Sequence, residues 1–173
     1  MTTNVRHTAA CACGQVALEA DGAPILSATC YCESCRTAAR QFEQAPGAPA
    51  VLSGDGGVDY CLFRKDRVRI VRGAEHLREH RLNEASPTRR MTAACCNSPV
   101  FLDFAPGHWL NFYRDRMPDD APPLEMGVMA KERSVGAPRP GGPPTYPTYP
   151  PRFLFKMLAA WAAMGFRRPK IVW

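Results

Sequence analysis

Three cysteines lie within six residues, in the stretch CYCESC that runs from Cys30 through Cys32 to Cys35. A Cys-x-Cys pair on an extended segment places both side chains on one face, and a Cys-x-x-Cys pair in a tight turn directs two sulfurs to one point. The combined spacing therefore lets all three thiols reach one metal ion. Because zinc takes four ligands in a tetrahedron, three protein thiols leave one position for water or substrate, as in catalytic zinc sites.

A second set of cysteines is split between two distant parts of the chain, with Cys11 and Cys13 near the start and Cys95 and Cys96 more than eighty residues later. A metal that joined them would connect the first strand to a late hairpin, and structural zinc stabilises small modules by about 10 kcal/mol or more. These two sets predict one or two Zn²⁺ ions per chain. Cys61 stands alone and is interpreted as a small buried apolar residue.

The ligand set of this second site depends on the backbone after Cys95. Adjacent residues on a strand point to opposite faces, so Cys96 reaches the same metal only if the chain turns, and Asn97-Ser98-Pro99 is typical of a turn. The alternatives are a site of three cysteines completed by water or His7, a site without metal, or a disulfide between Cys95 and Cys96.

Short strand patterns that recur about every ten residues must position these cysteines. Alternation of apolar and polar residues predicts strands at 15–20, 67–73 and 100–104, and a short helical turn is expected before Pro46. The pattern predicts a mainly β domain over residues 1–136. A Pro- and Gly-rich strap or linker follows at 137–151, and a C-terminal amphipathic helix and tail at 152–173, with the helix expected over 152–166.

The C-terminal helix has two interpretations. Its apolar residues can pack on the domain or on a second subunit. Alternatively, Trp161 and Trp173 with the trailing Arg167, Arg168 and Lys170 can hold it at a membrane surface. Packing is the favoured interpretation.

The overall composition indicates which partners and which cellular compartment to expect. The chain has 173 residues, 46% of them hydrophobic, and a net charge of +6. No stretch combines dense basic residues with interleaved aromatic residues, so no nucleic-acid partner is expected. The N-terminus has no apolar stretch of signal-peptide length and no run in the chain has the length of a membrane span, which predicts a cytoplasmic protein with reduced thiols.

Two of the cysteine motifs resemble those of a known family. The stretches CACGQV at 11–16 and CYCESCR at 30–36, with the later RRMTAACCNSPVF, resemble the glutathione-dependent formaldehyde-activating enzymes and the centromere protein V-like proteins related to them. The resemblance covers roughly residues 8–105. It implies an Mss4-like β-sheet fold with two zinc sites, a structural one that includes Cys11 and Cys13, and an open one at Cys30, Cys32 and Cys35 near which glutathione binds.

The third family motif departs from the pattern. Alignment of CCNSPVF with the family's last motif places Cys95 on its second cysteine, Thr92 on its first and Cys96 on its glycine. Thr92 is a poor zinc ligand, so the predicted structural site consists of Cys11, Cys13, Cys95 and Cys96. The chain is therefore interpreted as a diverged member.

The resemblance also implies a reaction. The family combines formaldehyde with glutathione to give S-hydroxymethylglutathione, a carbon–sulfur lyase reaction in reverse. We expect a zinc-dependent enzyme that acts on a thiol–aldehyde adduct, with Arg36 binding a substrate carboxylate and offsetting the charge of three thiolates, unless Arg36 is simply exposed. The alternative is a non-catalytic, zinc-stabilised binding module that uses its C-terminal helix for partner or membrane contact.

Overall fold

The computed structural model describes residues 5–117, 121–133 and 139–173, and this part of the chain is mainly β. It contains ten strands and two α-helices. The strands are β1 Arg6–Ala10, β2 Ala17–Asp21, β3 Leu26–Cys30, β4 Val58–Arg64, β5 Val68–Arg72, β6 Leu77–His80, β7 Thr88–Ala93, β8 Ser98–Phe104, β9 Trp109–Tyr113 and β10 Met126–Val128. The helices are α1 Glu33–Glu43 and α2 Pro151–Ala163.

The strands form two sheets. The larger has seven strands in the order β10-β3-β4-β9-β8-β7-β6, antiparallel except where β10 runs parallel to β3. The smaller has three antiparallel strands in the order β1-β2-β5. Strand β4 lies inside the large sheet, pairs with β3 and β9, and is buried over nearly its whole length.

The two faces of the large sheet pack into different cores. Successive side chains of a strand point to opposite faces, and in β4 this sends Tyr60 and Leu62 to one core and Cys61 and Phe63 to the other. The first core lies under α1 and α2. The second lies between the two sheets, where Cys61 is fully buried, as expected for a small apolar residue.

The mainly β class and the short C-terminal helix are confirmed, with shifted boundaries. Helix α2 begins at Pro151 and ends at Ala163 rather than spanning 152–166, since the backbone becomes left-handed at Gly165 and Phe166. Helix α1 has eleven residues, more than the short turn expected before Pro46. The sequence hides its start because Cys32, at the N-cap position, makes no side-chain capping hydrogen bond.

Helix α2 packs on the domain, as the favoured interpretation predicted. Met157 is buried in the core under the helices and Phe153 packs against it. The outer face stays in solvent, with Phe155 71% and Leu158 55% exposed, so membrane contact by that face stays a prediction. None of the helices in the described ranges has the length and apolar character needed to cross a membrane.

The Pro- and Gly-rich segment passes beside β10. The Gly127 N–H donates to the Pro144 carbonyl and the Tyr146 N–H donates to the Gly127 carbonyl, each at 2.9 Å. The predicted boundary between residues 136 and 137 lies outside the described residues, and the division into three units stays a prediction.

Candidate metal centres and active site

Four thiols from two turns that are distant in sequence come together. Cys11 and Cys13 lie in the turn between β1 and β2, and Cys95 and Cys96 lie in the turn between β7 and β8. All four sulfurs are within 4.8 Å of one another. The Cys11–Cys13, Cys13–Cys95 and Cys95–Cys96 Sγ distances are 3.6, 3.4 and 4.0 Å. A tetrahedron with Zn–S bonds near 2.3 Å has edges of about 3.8 Å, so this donor set fits zinc.

The turn after Cys96 is what brings two consecutive cysteines to one point. Asn97 adopts a left-handed conformation with φ of 54°, and the Cys96 N–H donates to the Ala93 carbonyl at 3.2 Å. The backbone therefore reverses where a straight strand would send the two thiols to opposite faces. The Ser98 hydroxyl accepts a hydrogen bond from the Ala12 N–H at 2.9 Å, which joins the two turns.

The other candidate ligands lie elsewhere. Thr92 is part of β7, where its hydroxyl donates to the Arg78 carbonyl at 3.3 Å, and His7 lies on β1 with its ring centroid 5.4 Å from that of Phe63. His7 is not part of the thiol group. Cys95 and Cys96 are free thiols rather than a disulfide. The structure thus brings together the four thiols of the predicted site, and metal binding by them stays a prediction.

The second thiol group forms where β3 leads into α1. Cys30 ends the strand, Cys32 is the N-cap of the helix and Cys35 lies in its first turn. Their sulfurs lie within 4.8 Å of one another, and the Cys30 and Cys32 sulfurs are 3.4 Å apart. Among the described residues, no fourth Cys, His, Asp or Glu joins this group. The three thiols can therefore hold a metal ion with one position left open to a ligand.

The local electrostatics favour a thiolate at Cys35. Hydrogen bonds from Cys30 and then Cys32 hold the pKa of the Cys35 thiol well below its usual value against the opposing effect of burial, and the positive charge of Arg90 acts in the same direction. The N-terminus of α1 adds its partial positive charge at the same place. The pKa of Cys30 is raised well above its usual value, with the hydrogen bond to Cys32 as the largest cause.

A cavity of about 510 Å³ adjoins the three-cysteine group. Its size is typical of small-molecule sites. Its walls are mainly apolar and come from the large sheet and from α2. The residues that line it include Cys30, Cys32 and Cys35 at one end, Leu62, Leu102, Trp109 and Val128 on the sheet, and Phe153, Leu154 and Met157 on α2.

Arg90 is a buried cation in the wall of this cavity. Its side chain is on β7 with no solvent exposure, and its Nη2 donates to the Ser34 hydroxyl at 2.8 Å. Its Nε and Nη1 make no hydrogen bond of normal geometry to any described residue, and neither does Oδ1 of Asn111 on the same cavity wall. Buried polar groups are costly when left unpaired, so these groups identify where a ligand with polar atoms would lie.

Arg36, the basic residue expected to bind substrate, lies elsewhere. It is buried, its Nη1 donates to the Glu132 carbonyl at 2.7 Å, and it is 3.5 Å from the Glu33 carboxylate. It is not among the residues that line the cavity. Substrate binding by Arg36 stays a prediction, while the basic group on the cavity wall is Arg90. The sequence pattern missed Arg90 because nothing in TRRMTA indicates which arginine points inward.

Comparisons with known proteins agree with the motif analysis over the first part of the chain. A family model described as glutathione-dependent formaldehyde-activating enzyme matches residues 6–48. The matched segment holds Cys11, Cys13, Cys30, Cys32 and Cys35, and the predicted resemblance is confirmed there. No curated protein matches the chain.

Among solved structures, the chain is similar to a protein of Rhodobacter sphaeroides known from its crystal structure. The two are 14% identical with a TM-score of 0.48, over 80% of this chain and 99% of that chain. A similarity this distant carries no argument about function.

Proposed function

Because this chain is a diverged relative of the glutathione-dependent formaldehyde-activating enzymes, we propose that it is a zinc-dependent carbon–sulfur lyase-like enzyme that acts on a thiol–aldehyde adduct. One observation carries the proposal. Three converging thiols, which no fourth ligand from the described part of the chain joins, lie at the end of a cavity of about 510 Å³ that also contains the unpaired donors of Arg90. A purely structural zinc site is closed by four protein ligands and needs no cavity.

The two thiol groups suit two different roles for zinc. Cys11, Cys13, Cys95 and Cys96 form a closed set suited to a structural ion that links the β1–β2 turn to the β7–β8 turn. Cys30, Cys32 and Cys35 form an open set suited to a reactive ion. At the open set zinc would polarise an aldehyde oxygen or lower the pKa of a bound thiol.

The protein's own groups contribute charge balance and oxyanion stabilisation. Three thiolates on Zn²⁺ carry a net charge of −1, which the buried guanidinium of Arg90 offsets. When a thiolate sulfur attacks the aldehyde carbon, the new C–S bond forms and the carbonyl electron pair moves to oxygen. The free Nε and Nη1 donors of Arg90 are suited to stabilise that developing charge. Protonation of the oxygen from solvent completes the hemithioacetal, and the reverse sequence cleaves it.

The family supplies the reference reactants, glutathione and formaldehyde, and a reducing compartment such as the cytoplasm is part of the proposal. All eight cysteines are free thiols, which supports such a setting because clustered thiols remain available to metals there.

The test measures adduct formation by exchange NMR on zinc-loaded protein. Formaldehyde and larger aldehydes are each mixed with glutathione and with 2-mercaptoethanol, and the exchange rate is compared with the spontaneous one. We expect acceleration that Cys32→Ser abolishes and Cys61→Ala retains, because Cys61 is buried outside both thiol groups. Spontaneous rates for every pair, with zinc bound at both sites, would overturn the proposal. The non-catalytic zinc module would then be the better interpretation.

A further inference from the structure

The apolar part of the cavity is built partly by a segment beyond the family match. Helix α2 contributes Phe153, Leu154 and Met157 to the walls, whereas the matched residues end at 48. The helix therefore forms part of the cavity that adjoins Cys30, Cys32 and Cys35. Met157 is buried and Phe153 is packed against the core, so this wall is part of the folded domain.

The polar groups available to a ligand in this cavity are few. Four described polar atoms on its walls lack a hydrogen-bond partner: Nε and Nη1 of Arg90, the Tyr60 hydroxyl and Oδ1 of Asn111. The Ser34 hydroxyl already accepts a hydrogen bond from Arg90, and Thr88 and Tyr149 add one hydroxyl each. A glutathione molecule carries two carboxylates, an ammonium group and two amides. Most of these would lose water without gaining a partner if the tripeptide filled the cavity.

An apolar substituent suits the same walls. Each methylene group moved from water into an apolar cavity strengthens binding by about fourfold. Leu62, Leu102 and Val128 on the sheet line this space together with residues of α2. Its volume of about 510 Å³ leaves room for a group far larger than the hydrogen atoms of formaldehyde.

The positions of Arg90 and of the three cysteines also indicate where the aldehyde part and the thiol part of the substrate would lie. Arg90 and the apolar walls share the cavity, so the carbonyl oxygen that binds Arg90 belongs to the molecule whose substituent fills it. Cys32 is partly exposed and is followed by the exposed Glu33. A thiol held at the three-cysteine group can therefore extend into solvent past Cys32.

We infer that this site takes the thiol adduct of an apolar aldehyde, with an aromatic or branched aliphatic group against α2 and the aldehyde oxygen at Arg90. The reaction itself rests on the proposed function, whereas the fit of the apolar group can be measured by binding alone. Helix α2 is then the element that determines specificity.

The first experiment measures binding of phenylacetamide and acetamide to the zinc-loaded full chain by calorimetry. Both probes carry the carbonyl acceptor and neither reacts with thiols. We expect phenylacetamide to bind at least about 30-fold more tightly, since its phenyl group buries several carbons. Equal affinity, or no binding of phenylacetamide, would overturn the inference.

A matched pair of variants tests the role of α2. Phe153→Ala removes a ring that lines the cavity, and Phe155→Ala removes the same ring from the exposed outer face, where it is 71% exposed. We expect phenylacetamide affinity to fall about tenfold in Phe153→Ala and to stay unchanged in Phe155→Ala, with the zinc content and thermal midpoint of both variants as controls for folding. A loss of the same size in both folded variants contradicts the assigned wall.

Turnover separates this inference from the proposed function. Rates with phenylacetaldehyde and with formaldehyde are each expressed relative to the spontaneous rate, with glutathione as the common thiol. Selective phenylacetamide binding without acceleration of any adduct supports the apolar site and overturns the proposed reaction. Acceleration with formaldehyde alone, without phenylacetamide binding, supports the reaction and overturns the apolar substrate class.

Discussion

The Nη2 atom of Arg90 donates to the Ser34 hydroxyl at 2.8 Å, which fixes an arginine of β7 beside the first turn of α1. Ser34 stands between Cys32 and Cys35 in the three-cysteine motif, so the hydrogen bond holds a buried cation next to the thiols. Its Nε and Nη1 make no hydrogen bond of normal geometry to a described residue. A residue far from the motif in sequence therefore completes the candidate active site.

Arg90 is expected to contribute to the reaction more than to the fold. Arg90→Met places an apolar side chain of similar length at this buried position. We expect kcat/KM for adduct formation to fall about 100-fold because the oxyanion donors are lost. Arg90→Lys should recover part of the activity, since it keeps the charge but not the planar donor set. Steady-state kinetics with zinc content measured in parallel checks both.

The matched control is Arg72→Met, which removes an exposed arginine of the small sheet. It should leave kcat/KM unchanged. If Arg90→Met binds zinc normally and is as active as the wild type, Arg90 has no role in the reaction.

Zinc content is expected to differ between variants of the two thiol groups. Wild-type protein purified without added metal should hold two zinc ions per chain, and Cys32→Ser and Cys95→Ser should each hold one. Cys95→Ser should also lower the thermal midpoint more, because its site links turns more than eighty residues apart. Mass spectrometry of metal content and thermal unfolding measure the two effects.

Cys61→Ala serves as the control for this series, since Cys61 is buried in the core between the sheets and belongs to neither thiol group. It should retain two zinc ions. A wild-type protein with a single zinc that Cys32→Ser removes would mean that the four-cysteine group holds no metal.

Removal of one partner of the buried ion pair between Lys65 and Asp103 is expected to destabilise the fold strongly. The Nζ and Oδ1 atoms are 2.7 Å apart and both side chains are buried, and Arg89 also pairs with Asp103. Asp103→Ala leaves Lys65 as a buried charge without its carboxylate, so we expect the free energy of unfolding to fall by about 3–5 kcal/mol. Denaturant unfolding measures the change.

A partly exposed pair provides the comparison. Asp66 pairs with Arg64 at 2.6 Å with side chains about a fifth exposed, and Asp66→Ala should cost less than about 1 kcal/mol. If Asp103→Ala and Asp66→Ala lower the free energy of unfolding equally, burial does not make loss of the Lys65–Asp103 pair more costly.

His108 should make the docking of α2 sensitive to acid. Its ring stacks on Trp161 of α2 with centroids 5.7 Å apart. Burial lowers the pKa of His108, the positive charges of Arg168, Lys65 and Arg64 add to this, and a hydrogen bond with the Met157 backbone opposes it. Because the folded-state pKa lies below the unfolded value of about 6.5, the unfolded chain takes up the proton first. The free energy of unfolding should therefore be highest above pH 6.5 and fall as the pH drops from there towards the folded-state pKa.

Denaturant unfolding between pH 5 and 7.5, with hydrogen exchange of the α2 amides, measures this effect. His108→Phe keeps an aromatic ring against Trp161 without a titrating group, and its stability should depend less on pH. Some dependence should remain, because burial followed by the charge of Arg90 also lowers the pKa of His80. Identical pH profiles for the wild type and His108→Phe would rule out this role.

The sequence by itself determined the features that depend on neighbours a few residues apart. The spacing of Cys30, Cys32 and Cys35 brings their thiols together wherever a strand leads into a helix, and alternating apolar residues predict short strands because side chains of a strand alternate with a period of two. The apolar run of α2 likewise predicted a helix, with boundaries that shifted by one to three residues.

Only the tertiary structure decided which distant residues meet. The sequence predicted Arg36 as the substrate-binding residue, and this stays a prediction. The sequence did not indicate Arg90 of β7, which hydrogen-bonds to Ser34 of α1 and lies on the cavity wall. A shift of the strand by one residue would exchange Arg89 for Arg90 on that face. The register of β7 is irregular between Met91 and Thr92, so the face on which Arg90 lies cannot be found by alternating residues back from Cys95. The apolar wall made by α2 depends in the same way on where the helix packs. Such contacts follow from strand register and from the fit of whole elements, and local sequence patterns carry neither.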